Sequence, residues 1–114
     1  MEGLLSTKNP ESFFFNDVDA ETAKKWTATL TASPIFKTKL TNNDVYAGLP
    51  CAYLVSDGDM TLPKAYQEGM VAAQVATSGV PFKMYHSPAG HSPHISWTAG
   101  MVDVVQNFAK TVAA

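Results

Sequence analysis

Two carboxylates and three histidines crowd the second half of the chain. Asp57 and Asp59 lie in the segment SDGDMTLP, and His86, His91 and His94 lie in YHSPAGHSPH. A carboxylate hydrogen-bonded to an imidazole is the base half of a Ser-His-Asp triad. The acid fixes the tautomer and steadies the imidazolium, and the imidazole takes the proton from a serine. Either carboxylate and any of the three histidines could form such a pair, although Asp57 also reads as a turn former with Gly58. The histidines could instead gather a metal, but no Cys or Glu adjoins them to complete a ligand set. Neither a metal nor another cofactor is therefore expected. Gly90-His91-Ser92 also resembles the front of a G-x-S-x-G nucleophile elbow. That motif needs a small residue two places after the serine and a buried strand directly before it. Here Pro93 and His94 follow the serine, and Ser87-Pro88-Ala89-Gly90 separates the strand from it, so Ser92 is not expected to be a nucleophile.

The elements that position these groups follow from periodicity. CAYLVS, residues 51–56, is a continuous apolar run bounded by Pro50 and Asp57-Gly58, as expected of a strand buried on both faces. PKAYQEGMVAAQVATSG reads as a helix with Pro63 in its first turn and Gly79 as C-terminal cap, and Tyr66, Met70, Val71 and Ala73 as its inner stripe. VPFKMYH, residues 80–86, is a second strand. SWTAGMVDVVQNFAKTVA is a final helix with Trp97, Met101, Val104, Val105, Phe108 and Val112 on one face, and His94 packs near its start. Strand, helix and strand in this order imply a parallel pair. The SDGDMTLP and SPAGHSPH loops then lie side by side at the carboxyl ends of the strands, where functional groups gather in such sheets.

Upstream, Asp19 is a candidate N-cap of a helix carrying Ala23, Trp26 and Leu30 on one face and ended by Ser33-Pro34. Phe13–Phe15 is too short a run to classify by period, and residues 35–50 read as irregular, with turn signals at Asn42-Asn43-Asp44 and Gly48-Leu49-Pro50. Trp26, Trp97 and Phe13–Phe15 are expected in a core or an interface, or lining a pocket. Met60, Met70 and Met101 are expected to pack.

These motifs resemble the C-terminal part of an α/β-hydrolase, in the esterase-like and hydroxynitrile-lyase-like branch. Asp59-Met60-Thr61-Leu62-Pro63 is similar to the D-x-x-[IL]-P acid loop, and Ala89-Gly90-His91 to the histidine loop. The order acid then histidine, 32 residues apart, also fits. The likeness is strong from about residue 49 onward and weaker over 13–32, where FFFNDVDAETAKKW resembles the end of a cap. The resemblance implies a partial α/β-hydrolase fold, an α/β chain whose short parallel sheet is built from strands near 51–56 and 80–86 with flanking helices. It divides the chain into a cap-derived helical segment, 1–48, and a strand-helix-strand-helix unit, 49–114. It assigns Asp59 as triad acid and His91 as triad base. The family's serine elbow lies upstream of the acid, so the expected chain lacks the N-terminal half that carries it. Hydrolysis of an ester or related acyl bond would belong to the complete assembly. The alternatives are a truncated binding or dimerising protein, and a small lyase or isomerase that uses the Asp-His pair for acid–base chemistry.

The chain of 114 residues is 46% hydrophobic and 16% charged, ordinary for one small globular domain. Its net charge of −2 and lack of a basic run give no electrostatic reason to bind nucleic acid or an anionic membrane. No apolar run is long enough for a membrane span, and MEGLLSTKNPESFFF lacks the basic region and apolar core of a signal peptide. Cys51, the single cysteine, is expected to be buried in its strand. It allows no intrachain disulfide, which suits a reducing compartment, and a cytoplasmic protein is expected. Expected partners are a small ester-like substrate for the complete assembly, and either a second copy or a complementing N-terminal hydrolase half.

Overall fold

The computed structural model of the protein describes residues 4–35 and 45–113. Along the chain run β1 (Leu4–Leu5), α1 (Pro10–Phe13), α2 (Ala20–Thr27), β2 (Ser33–Pro34), α3 (Val45–Gly48), β3 (Ala52–Ser56), α4 (Lys64–Ser78), β4 (Lys83–Ser87), α5 (Pro93–Ser96) and α6 (Thr98–Val112). The architecture is small α/β. β3 and β4 pair in parallel, with Tyr53 opposite Met84 and Val55 opposite His86. β1 and β2 form a separate short antiparallel pair, with Leu4 opposite Pro34.

Local chemistry sets most boundaries. Asp19 caps α2 by accepting a hydrogen bond from the Thr22 amide at 2.9 Å, which also lowers the carboxyl pKa below its ordinary value. α2 stops at Thr27, earlier than the approach of Ser33-Pro34 requires. The Thr29 hydroxyl and amide both turn back to the Trp26 carbonyl, and the Leu30 amide turns to the Thr27 carbonyl. That tightened last turn ends the helix. Ser33-Pro34 is strand, not a helix stop. α4 ends at Gly79, whose φ of 72° is the left-handed conformation that closes helices at little steric cost for glycine. β4 begins at Lys83, later than the apolar run suggests, because Val80 to Phe82 precede the pairing; Phe82 packs against Tyr46 instead, ring centroids 5.6 Å apart. α1 extends into the phenylalanine run, α3 lies within the stretch read as irregular, and the Asn42-Asn43-Asp44 turn falls outside the described residues.

The two long helices cover opposite faces of β3. Tyr53 shares one side with Met70 and Val71 of α4. Ala52 and Leu54 share the other with Met101, Val104 and Phe108 of α6, as the alternation of a strand requires. The burial differs from the apolar pattern in three places. On α4 the buried residues are Gln67 and Val71, while Tyr66 and Met70 are exposed. The helix is turned so that Gln67, not an apolar residue, meets β3. On α6 Val105 and Val112 are exposed, and no residue is fully buried. β3 is sealed only at its carboxyl end, at Val55 and Ser56, and Cys51 is half-exposed.

The outer edge of β3 explains the role of Gln67. Cys51 accepts from the Lys83 amide and the Asp57 amide donates to Ser87, so the odd-numbered residues face β4. Ala52, Leu54 and Ser56 therefore direct their backbone groups the other way. Among the described residues only Ser56 is satisfied there: the Gln67 side chain accepts from its amide at 3.0 Å and donates to its carbonyl at 3.0 Å. The same amide nitrogen also donates to the Leu62 carbonyl at 2.8 Å.

Candidate active site

The acid loop follows β3 and the histidine loop follows β4, so the parallel pairing delivers both to one end of the sheet. Asp59 and His91 meet there, with His91 Nδ1 2.9 Å from Asp59 Oδ2. The Asp59 side chain is 6% exposed and that of His91 33%. Its other oxygen, Oδ1, accepts from the Thr61 amide at 2.7 Å and the Leu62 amide at 2.9 Å. This turn orients the carboxylate through bonds that do not involve the histidine. An ionised carboxylate only accepts, so with Asp59 ionised the bond is donated from Nδ1, and a neutral imidazole then presents its lone pair at Nε2. Among the described residues no side chain bonds to Nε2. The chemistry open to such a group is proton abstraction at Nε2, with the developing positive charge facing Asp59.

Five further contacts hold this end of the sheet under a cover from the N-terminal segment, none of them signalled by a motif. Phe14 stacks on the His91 ring, centroids 4.7 Å apart and planes 18° from parallel. The Thr61 hydroxyl donates to the Phe13 carbonyl at 2.9 Å, and the Asn16 amide donates to the Gly58 carbonyl at 3.1 Å. The Asp17 carboxylate accepts from both the Gly90 amide and the Ser96 hydroxyl. The phenylalanine run hinted at packing, but no spacing points from Asp17 to Gly90.

No family model, curated protein or solved structure matches the chain. Its functional reading therefore rests on the residues themselves.

Asp57 does more than turn the chain. Its Oδ1 lies 3.0 Å from Lys64 Nζ and 3.1 Å from His86 Nδ1. The Lys64 ammonium, and secondarily His86, hold the Asp57 carboxyl below its ordinary pKa, and Asp57 in turn raises that of Lys64. This second acid–imidazole pair is exposed and tied up by the lysine, unlike Asp59–His91. Burial, with the Asp59 charge adding to it, pushes the Tyr53 phenol up.

Ser92 is 5% exposed and stands at the N-cap of the short helix α5 with φ −119°. It has neither the exposure nor the strained strand-to-helix turn of an elbow serine. Ser87, at the end of β4, is 1% exposed and its hydroxyl has no partner among the described residues. His94 is exposed on α5, where its carbonyl accepts from the Thr98 hydroxyl at 2.8 Å. Among the described residues no three His, Cys, Asp or Glu side chains converge to hold a metal, and no helix is long and apolar enough to cross a membrane.

Proposed function

We propose that the chain supplies the acid and histidine of an α/β-hydrolase-type Ser-His-Asp relay, with Asp59 as acid and His91 as general base. The observation that carries this reading is the Asp59–His91 hydrogen bond, made by a carboxylate already oriented by two backbone amides and by an imidazole whose Nε2 has no protein partner. The substrate class is an ester or related acyl compound. In this reading the serine comes from another polypeptide segment, since neither Ser87, at the end of β4, nor Ser92, at the N-cap of the short α5, stands on the strand-to-helix turn of a nucleophile elbow. The α/β-hydrolase resemblance of the acid and histidine loops agrees with their placement after adjacent parallel strands.

The open edge of β3 supports the association this reading needs. Ala52 and Leu54 present backbone donors and acceptors with no partner among the described residues, between helices that leave Met70 52% and Val105 58% exposed. The same edge favours a second reading, a non-catalytic chain that pairs with a copy of itself through β3.

Nitrogen-detected NMR of His91 tests the first reading. The wild type should carry its neutral proton on Nδ1, and Asp59→Asn should move the tautomer toward Nε2–H. An unchanged tautomer would remove Asp59 from the relay. A fluorophosphonate probe should label no residue of the pure 114-residue chain, and labelling at Ser92 would overturn the assignment of roles.

A further inference from the structure

A cleft of about 730 Å³ opens among β1, α1, the end of α2 and β2. Its size lies within the roughly 300–1,000 Å³ of small-molecule sites. Leu5, Pro10, Phe14 and Leu30 give it an apolar surface, Ser6, Thr31 and other hydroxyl residues a polar fringe, and among the described residues none that lines it carries a charge. A charged ligand would lose hydration there with nothing to replace it.

Two side chains give the cleft a direction. Phe14 lines it and also stacks on the His91 ring at 4.7 Å, so one aromatic residue is wall to the cleft and contact to the imidazole. Thr27 also lines it, and its hydroxyl is buried with no hydrogen-bond partner among the described residues. Three helical threonines elsewhere satisfy themselves by donating four residues back: Thr77 to Ala73 at 3.0 Å, Thr98 to His94 at 2.8 Å and Thr111 to Asn107 at 3.1 Å. Thr27 makes no such bond. A buried hydroxyl left without a partner in a native fold needs an explanation, and a ligand oxygen in this cleft provides one when the Thr27 side chain turns its hydroxyl outward to meet it.

We propose that the cleft binds a neutral, largely apolar small molecule bearing one hydrogen-bonding oxygen. The oxygen is held at Thr27, and the apolar body lies against Phe14 and Leu30. That this molecule is the substrate of the Asp59–His91 pair rests on the acid–base reading above; its binding does not.

The test is NMR titration of the full 114-residue chain, with methyl and His91 ring signals observed, using benzyl alcohol, toluene, benzoate and benzylammonium. Benzyl alcohol should give saturable shifts at the Leu5, Thr27 and Leu30 methyls and at the His91 ring. It should bind about fivefold more tightly than toluene, the worth of one modest hydrogen bond, and both ions should bind more weakly than either. Thr27→Val, close to the same shape, should erase the advantage of the alcohol while leaving toluene binding intact. The proposal is overturned by benzoate or benzylammonium binding as tightly as the alcohol, by an advantage that survives Thr27→Val, or by the lack of saturable shifts at these methyls. Asp59→Asn separates the two claims. Thr27-dependent binding alongside a His91 tautomer indifferent to Asp59 would retire the relay and leave the cleft. The reverse pattern would retire the cleft alone.

Discussion

Gln67→Leu should be among the most damaging single substitutions in the chain, although Gln67 lies outside every motif. The glutamine is 2% exposed and makes three hydrogen bonds, two to the Ser56 backbone and one to the Leu62 carbonyl. Each is worth about 1 kcal/mol net, and stranding a buried backbone group costs about 1–3 kcal/mol. Leucine restores some apolar contact but none of the bonds, and Ser56 is itself 6% exposed, so water does not readily take over. The expected loss is about 3 kcal/mol, a large part of the roughly 5–15 kcal/mol that holds a domain together. Leu62 also donates its amide to Asp59, so loosening its carbonyl should loosen the carboxylate turn. Urea unfolding followed by circular dichroism would measure the stability, and hydrogen exchange at Ser56 and Leu62 would show where protection is lost. Gln67→Glu should be no milder, because it keeps an acceptor for the Ser56 amide but turns a carboxylate on two carbonyls. A loss below about 0.5 kcal/mol for Gln67→Leu would refute the view that this side chain substitutes for a neighbouring strand.

Other predictions concern helix glycines and acid stability. Gly69→Ala in α4 meets open space and should stabilise by about 0.5–1 kcal/mol in thermal or urea melts, the ordinary gain from alanine in a helix. Gly100→Ala in α6 should do the opposite and shift the Trp97 fluorescence, because the Trp97 indole occupies the place of the added methyl. Asp57, its pKa lowered below 3.8 chiefly by Lys64, contributes stability that is present above that value and lost as pH falls through its folded value. The melting-temperature gap between wild type and Asp57→Asn should therefore narrow between pH 6 and pH 3, and a constant gap would count against the ion pair.

What the sequence discloses and what it hides divide along physical lines. The apolar run at 51–56, the caps at Asp19 and Gly79 and the meeting of Asp59 with His91 depend on local propensity and on the geometry of a strand-helix-strand unit, all of which leave periodic or short-range signals. The face of α4 turned inward was not legible by hydrophobicity, because two backbone groups at Ser56 claim a glutamine, while Tyr66 and Met70 remain outside. Phe14, Asn16 and Asp17 likewise reach across the fold to partners with no fixed spacing in sequence, and such contacts are written in no local pattern. Trp97 sits at the head of α6 as expected, but the need for a glycine beneath its ring emerges only from the packed structure.

The bonds of Asp17 to Gly90 and Ser96 also impose an order of events. The carboxylate and its two donors stand 73 and 79 residues apart in the chain, whereas the Asp59–His91 contact spans 32. Closing the longer loop costs roughly 0.8 kcal/mol more in chain entropy, and long-range closures tend to come late in folding. The acid and the imidazole can thus find each other while the beginning of the chain is still free. By that ordering the histidine loop would take its final shape when that beginning returns to fasten it, and the arrival of the cover would be the last step of assembly.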